Sequence, residues 1–168
     1  LFRIFTAAFV AASLGIPLGL AMGLNRWAKG VFDTPIEFYW PLPPLAYLPL
    51  IVIWCGIGEL SKVLLIFLAM LAPIIMATTH GVSRASQSRI RAAQSLGASP
   101  RQVLYRVMLP TALPDILTGL RIGLGAGWST LVAAELIAAT RGVGFMVQSA
   151  GEFLATDVVL AGILVIAL

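Results

Sequence analysis

The sequence is poor in charged residues. Of its 168 residues, only 11% are charged while 60% are hydrophobic. A water-soluble domain of this size could not cover so much apolar surface, so this composition excludes a soluble protein and predicts an integral membrane protein. The chain begins at Leu1 inside an apolar segment and lacks the pattern of a signal peptide. We therefore expect a fragment of a longer membrane protein, without its first membrane helix and the end of its last.

Cysteine and histidine are also scarce, with one of each, Cys55 and His80. Cys55 has no partner for an internal disulfide and is expected to be a small buried hydrophobic residue. His80 has no other ligand at metal spacing, so we expect an interfacial residue. No HExxH, GxSxG or GxxxxGK[ST] pattern occurs, which argues against a membrane enzyme and places any ATP chemistry in another chain. No cofactor or metal is implied, and no basic stripe on a soluble domain suggests nucleic acid.

Long hydrophobic segments dominate what is present. A bilayer-spanning helix needs roughly 20 apolar residues. Five segments are predicted, the last one truncated: 4–24, 34–58, 63–80, 114–139 and 158–168. The second contains five prolines between 35 and 49, which predicts an interfacial helix leading into a bent span near a pathway, or alternatively a packing kink. The connections 25–33, 58–62 and 140–156 are expected to be a cytoplasmic turn, a short outer loop and an outer loop.

Small residues recur at every fourth position in two of these segments. Such a face allows another helix to approach closely, and we expect packing within the subunit rather than a dimer contact. The first face is Ala7, Ala11, Gly15, Gly19 and Gly23, and the second is Gly119, Gly123 and Gly127.

Charges inside a predicted span are candidates for function. Arg121 and Glu135 lie in the segment 114–139, which also carries Trp128 and Ser129. We take these four residues as candidates for a translocation pathway. The alternative is that Arg121 and Glu135, each near an end of the span, reach the interface as snorkelling side chains.

The stretch 84–110 carries five of the eleven basic residues and no acidic one. An excess of Lys and Arg indicates a cytoplasmic loop, whereas Lys62 and Arg141 fall on the outer side. A helix is predicted to stop at Gly97, and a second to start with Ser99 as cap and Gln102 completing a capping box. Leu109-Pro110 is predicted to end that second helix. A plain connection would not need such a two-helix element.

This stretch resembles the EAA loop of binding-protein-dependent ABC transporter permeases. The family pattern is E-A-A, three residues, G, nine residues and I-x-L-P, and here it reads Arg91-Ala92-Ala93, then Gly97, then Val107-Met108-Leu109-Pro110. Arg91 stands where the family pattern has an acidic residue. Any salt bridge that the acidic residue makes in the family is therefore not carried over to this sequence. The runs RAAQSLGASPRQV and PLIVIWCGIGELSK are similar to the taurine, aliphatic sulfonate and nitrate branch, and within it to taurine permeases.

The resemblance implies an all-α, polytopic membrane protein with the helical core of a type I (MetI-like) ABC importer permease. Residues 1–168 would form one transmembrane domain, with an ATPase-coupling loop at about 84–112. The residues carried over to that loop are Arg91, Ala92, Ala93, Gly97, Ser99, Leu109 and Pro110. The alternative is that Ala92, Ala93 and Gly97 only pack the loop against its own membrane helices.

The resemblance also implies partners: cytoplasmic ATPase subunits, an extracytoplasmic substrate-binding protein, a second permease copy and the lipid bilayer of the bacterial inner membrane. The leading hypothesis is an ATP-driven importer of taurine or a related small sulfonate. A permease for nitrate or another small anion is the alternative. A secondary transporter driven by an ion gradient is less favoured, because it would call for paired intramembrane carboxylates.

Overall fold

A computed structural model describes residues 2–56, 58–138 and 142–167. Within these ranges the chain forms helices and no strand, as the predicted all-α fold requires. The helices are α1 (Phe2–Leu24), α2 (Arg26–Tyr39), α3 (Leu48–Cys55), α4 (Glu59–Ser83), α5 (Gln87–Ser95), α6 (Pro100–Val103), α7 (Leu109–Ala138), α8 (Val143–Glu152) and α9 (Thr156–Ala167). A 3₁₀ turn, Pro44–Tyr47, precedes α3, and a π-helical turn, Leu104–Met108, joins α6 to α7.

Three helices are long and apolar enough to cross a membrane. They are α1, α4 and the continuous helix Pro100–Leu136. A fourth crossing is formed if α2 and the segment Pro44–Cys55, bent by 90° at the proline-rich break, count as one span. Thr156–Ile166 is a shorter apolar helix at the place of the fifth predicted segment.

Helix α4 lies between α1 and α7, and both faces of small residues pack against it. A Cβ at Gly19 of α1 would lie 2.6 Å from Thr78 Cβ, and one at Gly119 of α7 would lie 2.5 Å from Ala77 Cβ. Real side chains do not approach this closely, so the helix backbones meet where only glycine fits. The expectation of packing within the subunit is confirmed on both sides.

The three long helices do not simply alternate in direction. The start of α1 contacts the start of α4 through Arg3 and Glu59, and Gly23 near the end of α1 lies against Val82 near the end of α4. These two helices are therefore parallel. The chain must return between them through α2 and α3, which is the crossing that the proline-rich segment was expected to make.

Three connections are more helical than predicted. Residues 25–33 form no turn, because the Asn25 side chain accepts a hydrogen bond from the Trp27 N–H at 3.0 Å and caps α2 at once. Helix α4 begins at Glu59, inside the predicted loop 58–62. The predicted outer loop 140–156 contains α8, whose Gly144 is buried against α7. Gly144 thus serves close packing between α8 and α7, a role that the loop-like composition of this segment does not reveal.

The prediction that Leu109-Pro110 ends a helix is wrong, and so is a span that opens at Pro114. The helix continues from Pro100 to Leu136. Pro110 lacks an N–H, and its ring would clash with a carbonyl one turn earlier. The π-helical turn just before it widens the backbone, with the Leu109 N–H bonded to the Leu104 carbonyl. Thr111 Oγ1 also donates to the Val107 carbonyl at 2.6 Å, which adds a hydrogen bond to this part of the helix.

The expectation of a buried Cys55 is also wrong, since its side chain is exposed. It is the last residue of α3, beyond Leu48 and Ile51, which pack with Leu65 of α4. His80 is exposed in the last turn of α4, which fits a residue at the edge of the bundle.

Candidate functional site

Two of the four pathway candidates line one cavity between α7, α8 and α9. Its volume is about 440 Å³, and Trp128 and Glu135 contribute to its wall, together with apolar side chains such as Leu131 and Val165. The Trp128 Nε1–H donates to the Ile166 carbonyl at 3.1 Å, which holds the indole against α9. The cavity is therefore mainly apolar, with a carboxylate on one side.

Glu135 is buried, with 8% of its surface exposed, and its charge is matched inside the protein. Arg3 Nη1 donates to Glu135 Oε1 at 3.1 Å, and the Gly144 N–H donates to Glu135 Oε2 at 3.2 Å. A buried carboxylate is tolerated when it is paired and hydrogen-bonded in this way. The carboxylate thereby connects the start of α1, the end of α7 and the start of α8.

Arg3 joins a second carboxylate at the same end of the bundle. Its Nη2 donates to Glu59 Oε1 at 2.6 Å, its Nε is also paired with Glu59, and Lys62 Nζ lies 3.9 Å from Glu59 Oε1. Arg3, Glu59, Lys62 and Glu135, hereafter the charge cluster, link α1, α4 and α7.

The charge cluster was missed by reasoning from the sequence. Arg3 is separated from Glu59 and Glu135 by 56 and 132 residues. A signal did exist: a cation at the outer end of the first predicted span, with Glu59 and Glu135 also placed at the outer end. Grouping the charged residues that are predicted to lie on the same side of the membrane would have identified this cluster.

The other two candidates lie elsewhere. Arg121 and Ser129 are both exposed on α7. Ser129 Oγ donates to the Gly125 carbonyl at 3.0 Å, so its hydroxyl proton is used within the helix. Among the residues whose structure is described, Arg121 forms no ion pair. The structure thus groups Glu135 with Trp128 and leaves Arg121 and Ser129 on an open face.

The predicted helix–glycine–helix element has the expected local geometry. Helix α5 ends at Ser95, and Gly97 has a φ of +81°, the left-handed conformation that favours glycine. The Ser99 N–H donates to Gln102 Oε1 at 2.8 Å, and the Gln102 N–H donates to Ser99 Oγ at 3.4 Å. This is the predicted capping box, and Pro100 stands at the first helical position.

The turn between α5 and α6 faces outward. Arg91, Ala92 and Gly97 are exposed, and Ala93 is half-buried. A Cβ at Gly97 would meet no atom within 4 Å. Leu96, which the sequence analysis did not single out, is 88% exposed. Its side chain is therefore accessible to a partner.

In residues 2–56, 58–138 and 142–167, no group of three or more His, Cys, Asp or Glu side chains comes together. Arg141, expected on the outer side, lies outside the described residues.

The profile of the family described as "Binding-protein-dependent transport system inner membrane component" matches residues 15–168. The chain belongs to this family. It is accordingly a multi-pass component of the inner membrane, and its helical core is that of a MetI-like permease.

Individual relatives place the chain in the predicted branch. It is 70% identical over 166 residues to the taurine transport system permease protein TauC of Escherichia coli, covering 99% of this chain and 60% of the relative. It is 42% identical over 145 residues to the putative aliphatic sulfonates transport permease protein SsuC of the same organism, covering 86% of this chain and 55% of the relative. The nitrate import permease protein NrtB of Synechocystis is 32% identical over 160 residues, covering 95% of this chain and 58% of the relative. The chain thus spans about three fifths of the length of such relatives.

Proposed function

We propose that this chain is the core of a permease subunit of an ATP-driven importer for taurine or a related small sulfonate. The observation that carries the proposal is the 70% identity to a taurine permease over 99% of this chain. The identities to the aliphatic sulfonate and nitrate permeases, 42% and 32%, are much lower. The proposed domain is residues 1–168, with the coupling loop at about 84–112.

The coupling loop is proposed to receive a cytoplasmic ATPase subunit. Support comes from the turn that carries Ala92 and Gly97 on the surface and from the exposed Leu96, which is suited to a pocket on a partner. The alternative, that this turn only packs against its own membrane helices, does not fit the open space around Gly97.

Motion of the loop would reach the membrane through one continuous helix. The helix from Pro100 to Leu136 has no break between the turn and the level of Glu135. A displacement of the turn by an ATPase would therefore tilt the whole of α7 rather than unfold a linker. The π-helical turn at Leu104–Met108 is the place where such a helix can bend.

The pathway itself is proposed to run along the open face of α7. An anionic sulfonate would be attracted by the guanidinium of Arg121, whereas Glu135 is already paired with Arg3. We therefore assign Glu135 a positioning role beside the pathway, with Trp128 next to it, and Arg121 and Ser129 the open face. A second permease copy would close this face, and an external binding protein would deliver the substrate.

The proposal is tested by taurine uptake into vesicles that contain the full-length permease, its ATPase subunit and its binding protein, with and without ATP. We expect ATP-dependent accumulation that other small sulfonates compete for. ATP-driven uptake of nitrate but not of taurine would support the ATP-driven mechanism and contradict taurine as the substrate. Uptake that ignores ATP and follows a proton or sodium gradient would replace the proposal with a secondary transporter.

A further inference from the structure

A basic cleft lies between α5 and the start of the long helix that continues into α7. Its volume is about 470 Å³, and Arg89 of α5 and Arg106 of the π-helical turn line it together with Val107, Pro110, Thr111 and Pro114. Within the described ranges neither arginine forms an ion pair. The stretch 84–110 also contains no acidic residue that could neutralise them.

An apolar stripe continues from this cleft along the membrane-length helix. Residues three, four and seven apart share a helix face, so Pro110, Leu113 and Leu117 follow Arg106 in line. All four are exposed, with Leu113 at 51% and Leu117 at 57%. Cleft and stripe together therefore have two arginines without an ion pair among the described residues at the end of the bundle, and exposed apolar side chains towards its middle.

We propose that this cleft binds the phosphate headgroup of an anionic phospholipid, with an acyl chain along the stripe. Two guanidinium groups suit a phosphate because each can donate two parallel hydrogen bonds to its oxygens. Basic clefts at the ends of membrane helices bind anionic headgroups by such contacts. An acidic protein surface would match the arginines alone, whereas Leu113 and Leu117 directly beyond them favour a ligand that has both an anionic group and an acyl chain. The lipid satisfies both parts of the surface.

The bound lipid would therefore lie between the coupling loop and the membrane-spanning part of the long helix. The headgroup would hold α5 against the π-helical turn, where the continuous helix is most easily bent. This inference concerns the loop end of the bundle and does not depend on which anion is transported.

The test is thermal unfolding of the full-length permease in neutral detergent with added lipid. Phosphatidylglycerol at a hundredfold excess over its Kd should raise the unfolding midpoint by about 5 °C, and phosphatidylcholine should raise it much less. Arg89→Gln with Arg106→Gln should lose at least half of the phosphatidylglycerol effect. Each single variant should lose a part, and Arg101→Gln, an exposed arginine outside the cleft, should retain the full effect.

Other outcomes would overturn the proposal. Equal stabilisation by both lipids would remove the role of charge, and an equal effect of inorganic phosphate would identify a free anion as the ligand. If the double variant keeps the lipid effect but no longer copurifies with the ATPase subunit, the arginines face a protein partner instead.

Discussion

The two ends of the helical bundle differ in how many of their charged side chains form ion pairs. At one end the charge cluster pairs Arg3 with Glu59 and Glu135 across three helices. At the other, Arg84 pairs with Asp115 at 3.2 Å, while Arg89, Arg91, Arg101 and Arg106 have no carboxylate within ion-pair distance in the described structure.

The difference separates charges that stabilise the fold from charges that are available to bind another molecule. A charge buried between helices, such as the Glu135 carboxylate, must be matched within the chain, because an unpaired buried charge is costly. A cation on an exposed loop can remain unmatched, and its charge is then available to a lipid or a protein. The cluster end is therefore expected to determine stability, and the loop end to determine what the permease binds. Four substitutions test this distinction.

Arg3→Met should have the largest effect on stability. It leaves two carboxylates without their shared cation, one of them buried, and we expect a loss of about 3 kcal/mol in the free energy of unfolding. Denaturant unfolding of the full-length permease in detergent measures it. Arg3→Met combined with Glu135→Gln should recover part of the loss, because the buried charge is removed as well. A single variant as stable as the wild type would mean that the cluster contributes nothing to the fold.

Glu135→Gln alone should cost less, about 2 kcal/mol, because the amide oxygen can still accept from Arg3 or Gly144 while the charge is lost. If Glu135 positions α7 beside the pathway, taurine uptake should fall while the ATPase subunit remains bound. Uptake kinetics are compared with copurification of the ATPase. Wild-type kinetics would limit Glu135 to a structural role.

Gly97→Val tests the loop end. Valine resists the left-handed conformation, with an expected cost of about 1–2 kcal/mol, and no atom lies close enough to add a clash. ATP-driven uptake should be abolished, while membrane insertion stays intact. Gly97→Asn is the matched control, since asparagine tolerates a positive φ, and it should retain uptake. Normal uptake with valine would contradict the coupling role that we propose for this turn.

Glu59→Gln should have the smallest effect, below about 1 kcal/mol, because exposed ion pairs contribute little. The Glu59 side chain is 65% exposed although it bonds the same arginine as Glu135. The same unfolding measurement applies, with addition of salt as a control for screening. A loss as large as that of Arg3→Met would show that pairing matters at this end irrespective of burial.

Much of the fold could be predicted where the signal is local. The glycine faces of α1 and α7 follow from spacing along one helix, and the turn at Gly97 with its Ser99–Gln102 cap follows from neighbouring residues. The continuity across Pro110 could not be predicted from the usual effect of proline, because a π-helical turn directly before it changes the backbone geometry. Of the four pathway candidates, Glu135 and Trp128 line one cavity, whereas Arg121 and Ser129 lie on another surface, so their role in a pathway stays a prediction.

The sequence by itself determined that the protein resides in a membrane, which helix faces permit close approach and where the exposed two-helix loop turns. Composition, periodicity and capping act over a few residues, so they can be read without knowing the fold. Only the tertiary structure decided that both glycine faces meet the same helix, and that Arg3 neutralises carboxylates 56 and 132 residues away. Such pairings depend on how whole helices are placed beside one another, and no local pattern encodes that placement.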